Sequence, residues 1–407
     1  MNLLVSSHIA VSVILMRILN ILLLVGVATV LYVLLPVNRR PSLVWGLAIS
    51  LVPLGLFLVA SNNPGAWAIV SAGTLWISLL GYFESSGKKK AGLGVIAALS
   101  TILGAGARAD AAVYAVVAIV AVVLLTARLD RRWIISALLP FGMAVTAALF
   151  YFSTEQSSFA SSGLPGYGDS SHHLDLHYLI LANLLNVPDL WVGVFGSGRG
   201  LGWLDTSMPT IVWVGGLGCF AALAFAGLAS RSIRKLLAVA VVLGALWCIP
   251  TLLLVQSGRV LGAGLQPRYI LPLVVILGGV LLLQVGQARL TLSSWQVVAL
   301  VSTLSVVNAV ALQFNMRRYI TGTDVTRWDL NYAIKWWWNI PASPMIIWAV
   351  GSLSFAAFLV IIARATLLTR PTDVPHYTVK AAAPEPGARL EAEPDPPTQN
   401  GVAATVV

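Results

Sequence analysis

The chain has 407 residues, 58% of them hydrophobic and 10% charged, with a mean hydropathy of +0.87 and a formal net charge of +10. A soluble domain carries about a quarter charged residues, and no water-exposed fold of this length hides so much apolar side chain. Lipid is therefore the solvent for most of the chain, the surplus of Lys and Arg is a topology signal, and no basic face interleaved with aromatics offers a surface for nucleic acid.

A membrane crossing needs roughly 20 apolar residues. In chain order, runs of that kind lie at about 16–35, 43–60, 66–83, 91–106, 110–127, 133–152, 210–230, 236–255, 270–285, 295–313 and 343–362. The expected fold is all-α: a polytopic integral membrane protein of about 11 transmembrane helices, occupying 1–370. The remainder, 371–407, holds seven prolines and almost no large apolar residue, which predicts a disordered cytoplasmic tail. Short basic linkers (Arg39-Arg40, Lys88–Lys90, Arg128 with Arg131-Arg132, Arg231 with Arg234-Lys235) alternate with longer ones at 153–209, 256–269 and 314–342. The basic set marks the cytoplasmic side and the longer set faces outward. This parity puts the N-terminus outside with no signal before it, which leads us to expect an N-terminally truncated chain. Cys219 and Cys248 both fall inside apolar runs and read as small core residues of membrane helices.

The stretch GAGARADAAVY (104–114) sets Arg108 and Asp110 within an apolar run from Ala91 to Ala127. One helix of that length would reach roughly 55 Å against a hydrocarbon core of roughly 30 Å, so the run must fold back at the charges, with its tip outward. There the two charges either cap two helices, Asp110 at an N-terminus where the dipole favours an anion, or line the mouth of an outward cavity.

Further outward segments carry chemistry. GAGLQPRYILPL (262–273) opens a run with Arg268, whose planar fork suits phosphate, and Tyr269; the competing reading is an interfacial anchor pair. Arg259 is a second cation in that loop. HHLDLHYLILANLLN (172–186) has Leu174, Tyr178, Leu181 and Leu185 at helical spacing and predicts an amphipathic helix lying on the membrane. His173 and His177 stand four apart there, without a third metal ligand, so no metal site is assigned. Trp203 and Asp205 precede a run, and a ring beside a carboxylate suits a sugar as well as it suits a belt residue and a helix cap. Trp336–Trp338 are expected to point around a helix and anchor it at the interface. Arg17 is the only charge deep in an apolar run.

Taken together, RADA (108–111), GWLDTSMP (202–209), QPRYILPL (266–273), MRILN (16–20) and Asn63-Pro64 resemble the bacterial membrane proteins grouped as domain-of-unknown-function family 2142, over about residues 10–362. That family is similar to the C-type glycosyltransferases of the cell envelope, which take polyprenyl-phosphate sugars as donors and invert the anomeric carbon. The resemblance implies a location in the bacterial cytoplasmic membrane, and membrane lipid and a polyprenyl-phosphate sugar as partners. It implies Arg268, Arg108 and Arg259 as groups for the donor phosphate, Asp110 and Asp205 as catalytic or hydroxyl-binding carboxylates, and Trp203 and Tyr269 as sugar-stacking rings. It also implies a preceding helix and an outward loop with a Pro-Asp-Glu and a His that this chain begins after, so a truncated chain would lack the family's base. No cofactor is fixed, and a divalent cation stays open. A flippase for envelope precursors and a non-catalytic membrane scaffold are the alternative functions.

Overall fold

The computed structural model describes residues 9–153, 175–198, 201, 206–262, 264–286 and 290–368. The expected tail, His173, Trp203 and Asp205 lie outside them.

The described chain is a bundle of helices. α1 (Ile9–Leu34) leads through a short 3-10 turn (Val37–Arg39) to α2 (Arg40–Leu51) and α3 (Leu54–Val59). There follow α4 (Gly65–Glu84), α5 (Gly87–Ala107), α6 (Ala109–Thr126), α7 (Arg131–Ser136) and α8 (Leu138–Ser153). Two short helices, α9 (Leu176–Asn186) and α10 (Pro188–Val194), precede the long α11 (Thr210–Leu228) and α12 (Ile233–Gln256). α13 (Pro267–Leu281), α14 (Ser294–Ile320) and α15 (Pro344–Thr366) complete the described residues.

Nine stretches among the described residues are helices long and apolar enough to cross a membrane: α1, α4, α5, α6, α7 with α8, α11, α12, α14 and α15. The other two of the eleven expected runs differ. The run at 43–60 is broken between α2 and α3, where Pro53 supplies no amide hydrogen and its ring crowds the preceding turn. The run at 270–285 is the 15-residue α13, about 22 Å long. Its chain partner Pro267 occupies the first turn, where a missing N–H costs nothing.

These two shorter elements are where the bundle is tightest. Every residue of α13 from Ile270 to Leu281 is buried, and α13 packs on α2, α4 and α12. Small residues make this possible. A Cβ on Gly46 would stand 2.8 Å from the Gly279 Cα, and one on Gly279 would meet the Trp76 ring at 2.2 Å. Lipid tails are as apolar as leucine, so helices in a membrane associate through such close packing rather than through hydrophobic burial. The outer helices are the converse. Only 6% of the apolar window of α1 and 11% of that of α15 is buried inside the protein, and their Leu, Val and Ile side chains point outward.

Successive helices alternate between two ends. One end carries Arg39, Lys88–Lys90, Arg131, Arg132, Arg234 and Lys235, and we call it the basic end. Three of its basic groups are tied down by hydrogen bonds. Arg39 pairs with Glu84 through Nε and Nη2 at 2.7 Å each and also donates to the Gln284 carbonyl oxygen. The Lys235 Nζ, fully buried, donates to the Gly227 and Ser230 carbonyl oxygens at 2.7 and 2.8 Å, capping α11. Lys90 donates to the Ser136 hydroxyl at 2.6 Å.

The opposite end, the loop end, holds the irregular connections. Asn20 latches α1 there: its Nδ2 donates to the Ser61 carbonyl and its Oδ1 accepts from Trp67 Nε1, both at 2.8 Å. Asn63 Oδ1 accepts from the Gly65 amide and starts α4. The expected surface helix is α9, capped by Asp175; Tyr178, Leu181 and Leu185 are exposed as the amphipathic reading requires. Its inner face is Leu179 and the fully buried Asn183, which donates to the Arg259 carbonyl and accepts from the Leu261 amide. Residues 321–343 form no helix, so the expectation that Trp336–Trp338 surround one is corrected: hydrogen bonds from the Lys335 and Trp336 amides to the Ile320 carbonyl turn the segment back on the end of α14. Cys219 is buried as expected, whereas Cys248 lies on the outer surface of α12.

Candidate functional site

The turn between α5 and α6 takes the fold-back expected of 104–114. Gly104 lets the last turn of α5 touch α4: a Cβ there would stand 2.3 Å from the Ser71 hydroxyl. Arg108 caps α5 and opens α6 in an extended conformation, and Asp110 occupies the first turn of α6. The two side chains form a forked ion pair, Nε to Oδ1 at 2.8 Å and Nη2 to Oδ2 at 2.6 Å, and Asp110 Oδ1 also accepts from the Ala111 amide at 2.9 Å. Burial works against the Arg108 charge, but the hydrogen bond and charge of Asp110 outweigh it and hold the guanidinium pKa above its ordinary value.

Tyr269, in the first turn of α13, joins this turn to the second cation. The Arg108 guanidinium lies 4.7 Å from the centre of the Tyr269 ring, and that of Arg268 lies 5.3 Å from it. The two guanidinium carbons are thus within about 10 Å of each other. Two helix N-termini, those of α6 and α13, meet at the same place with their positive dipole ends. Arg268 Nε and the Gln266 Oε1 are both buried, and neither has a hydrogen-bond partner among the described residues. A buried unpaired donor costs on the order of 1–3 kcal/mol, more when charged. The site therefore gathers two cations, two helix N-termini and one carboxylate already occupied by Arg108. Such an assembly suits an anion with several oxygens, to which arginine presents parallel N–H groups.

Among the sequence-derived candidates, Arg108, Asp110, Arg268 and Tyr269 come together. Arg259 does not join them through its side chain; its carbonyl anchors α9 instead. Trp203 and Asp205 lie outside the described residues, between Leu201 and Thr206, which pair across a bridge with the Leu201 amide 3.1 Å from the Thr206 carbonyl oxygen. Gln266 was not singled out from the sequence, because nothing in a lone Gln before a Pro announces a buried amide. Among the described residues no group of three His, Cys, Asp or Glu stands close enough to hold a metal ion.

No curated protein matches the chain, and no solved structure does. One family model covers residues 1–277, from the start of the chain to the middle of α13, and so includes the whole Arg108–Arg268–Tyr269 group. The chain belongs to the family described as predicted membrane protein (DUF2142).

Proposed function

We propose that the protein binds a polyprenyl-phosphate sugar at the loop end and transfers the sugar, as the C-type glycosyltransferases that its family resembles do. In this reading the basic end lies in the cytoplasm of a bacterial cell and the loop end faces the envelope, in keeping with the distribution of Lys and Arg. The observation that carries the proposal is the pair of arginines on one tyrosine ring, with the Arg268 Nε buried and unpaired.

The chemistry follows from the charges. In an inverting transfer the acceptor oxygen attacks the anomeric carbon while the bond to the polyprenyl phosphate breaks, the acceptor hydroxyl gives its proton to a carboxylate, for which Asp205 is the candidate in this chain, and negative charge grows on the departing phosphate. Arg268 and Arg108, held before the reaction at a water-poor site, stabilise that charge without having to reorganise. Asp110 has both oxygens on Arg108 and acts as the group that orients this guanidinium rather than as the base. Asp205 and Trp203 remain the proposed hydroxyl-binding carboxylate and stacking ring, Tyr269 the second ring, and Arg259 an outlying cation at the entrance.

The test is retention of radiolabelled polyprenyl phosphate by the full chain in nanodiscs. Arg268→Ala should lower retention at least about tenfold, the cost of one charge-assisted contact, with unchanged expression and helicity. Retention equal to that of the unaltered protein would refute the assignment.

A further inference from the structure

A second polar assembly lies on the other side of the loop end, between α1 and α14. α1 packs on α2, α3, α4 and α5, whereas α14 packs on α11 and α15. The two sides are separated by a cleft. Towards the loop end it widens into a cavity of about 630 Å³ between Arg17 of α1, Asn308, Asn315 and Tyr319 of α14, and Trp336–Trp338 of the folded-back segment. Asn308, Asn315 and Tyr319 are 7 and 4 residues apart and so lie along one stripe of α14. Trp336 and Trp338 meet edge to face at 4.7 Å.

Towards the basic end the same cleft continues as a chamber of about 540 Å³. Its walls are Leu24 and Ala28 of α1 and Phe355, Phe358 and Ile361 of α15, over a floor of α2. Leu56 of α3 lines both chambers and marks where one passes into the other.

The polarity of the cleft thus changes along its length, from cationic, amide-bearing and aromatic to largely apolar, with Thr29, Tyr32 and Thr366 the polar residues of the second chamber. Trp337 donates to the Ala342 carbonyl and Ser61 to the Leu58 carbonyl, but three polar side chains of this half have no such partner among the described residues. Arg17 is exposed and makes no ion pair or hydrogen bond among the described residues, and the side-chain amides of Asn308 and Asn315, half-buried in an apolar helix, make none either. Asn308 sits roughly 18 Å below the end of α14 at 1.5 Å per residue. At such a depth an amide without a partner is costly, because lipid tails offer it no hydrogen bond. Arg17 stands three residues before Asn20, the latch to the α3–α4 loop, which places it at the level of that loop.

We propose that this cleft is a lateral binding slot for one anionic phospholipid. Its phosphate meets Arg17, its headgroup hydroxyls meet the Asn308 and Asn315 amides under the indole rings, and one acyl chain lies in the apolar chamber between α1 and α15. Charge complementarity selects this occupant: a lone unpaired guanidinium above an apolar trough matches a net-negative headgroup on a hydrocarbon chain, and an apolar helix from a second copy would leave Arg17 and both amides unsatisfied. The slot shares no lining residue with Arg108, Arg268 and Tyr269, and it stands or falls apart from the donor site. One of its walls, α14 with the 321–343 segment and α15, lies beyond the part of the chain that the family model covers.

Native mass spectrometry of the full chain, titrated in mild detergent with phosphatidylglycerol or with phosphatidylcholine, tests the slot. The unaltered protein should retain one phosphatidylglycerol in preference to phosphatidylcholine. Arg17→Ala should weaken phosphatidylglycerol retention about tenfold and abolish the preference, while Arg17→Lys keeps it. Ala28→Trp, which fills the apolar chamber, should weaken retention of both lipids. Arg268→Ala should change neither, so that failure of the donor site is distinguishable from failure of the slot. Equal retention of the two lipids by the unaltered protein, undiminished phosphatidylglycerol on Arg17→Ala, or a dimer that Ala28→Trp dissociates would overturn the proposal.

Discussion

The two ends of the bundle treat several of their buried or half-buried polar side chains differently. At the basic end Arg39 is closed by Glu84 and the Gln284 carbonyl, and Lys235 by the Gly227 and Ser230 carbonyls at and just after the end of α11. Arg40 is an exception there: its Nε is buried without a hydrogen bond among the described residues and its guanidinium lies 4.8 Å from the centre of the Tyr32 ring, the same state as Arg268 over Tyr269. At the loop end Arg268 Nε, Gln266 Oε1, Arg17, Asn308 and Asn315 are left without protein partners. Polar groups in a membrane bundle are retained either because they hold helices together or because something else binds them. A closed pair indicates the first, and a converging unpaired set indicates the second.

The comparison predicts opposite mutational outcomes. The largest effect is at the basic end. Arg39→Ala leaves Glu84 without its partner and should destabilise the protein by roughly 3 kcal/mol, seen as a lowered Tm in nanodiscs, because breaking a buried pair strands a charge. Removing both partners, Arg39→Ala with Glu84→Ala, should recover part of that loss. Next is the close packing that both ends share. Gly279→Ala pushes a methyl group into the Trp76 ring and should cost about 1–3 kcal/mol by the same measurement, while Gly218→Ala, with open space around it, should be nearly silent.

Smaller in stability, and of the opposite kind, is Arg268→Ala. It removes a donor that the folded protein leaves unpaired, so the Tm should change by less than about 1 kcal/mol equivalent while polyprenyl-phosphate retention falls. A large loss of stability there would erase the distinction between the ends. The smallest effect concerns Asp324 and Lys335, a pair in the folded-back segment with Nζ–Oδ distances of 2.7 Å. The Lys335 hydrogen bond holds the Asp324 carboxyl below the usual carboxylate range. Its folded pKa is depressed, so its contribution is present above the ordinary carboxylate pKa of about 4 and is lost as pH falls through the folded value. Both groups are exposed, and solvent screening keeps the effect small. Tryptophan emission should stay constant down to about pH 4 and shift only below it; Asp324→Asn should remove that pH dependence.

Much of the fold was legible because lipid imposes a simple rule: apolar length decides which segments become long helices, and 37 apolar residues must turn at Arg108. The turn follows from that rule, the surface helix α9 from the helical spacing of its apolar residues, and the two ends from the alternation of basic and irregular linkers. It misjudges α13 and the α2–α3 break, because a helix surrounded by protein need not span the hydrocarbon by itself, and the Gly46–Gly279 contact that surrounds it is long-range. The candidate site was half legible. Arg268 and Tyr269 stand out as polar residues at a helix entrance, but 160 positions separate Arg108 from Arg268, and only the packing of α6 beside α13 brings them to one ring. Trp336–Trp338 misled because the helical period was applied to a segment that folds back irregularly. At the slot only Arg17 stood out, as a charge deep in an apolar run; Asn308 and Asn315 carry no signal until the cavity in front of them is seen.

The central claim is that the loop end binds and the basic end holds. Thermal unfolding of three proteins in nanodiscs, unaltered, Arg268→Ala and Arg39→Ala, with and without polyprenyl phosphate, tests it most directly. The account predicts a ligand-induced rise in Tm for the unaltered protein, the same rise from a lower starting Tm for Arg39→Ala, and a clearly smaller rise for Arg268→Ala. An equal rise in Arg268→Ala, or its loss in Arg39→Ala alone, would contradict it.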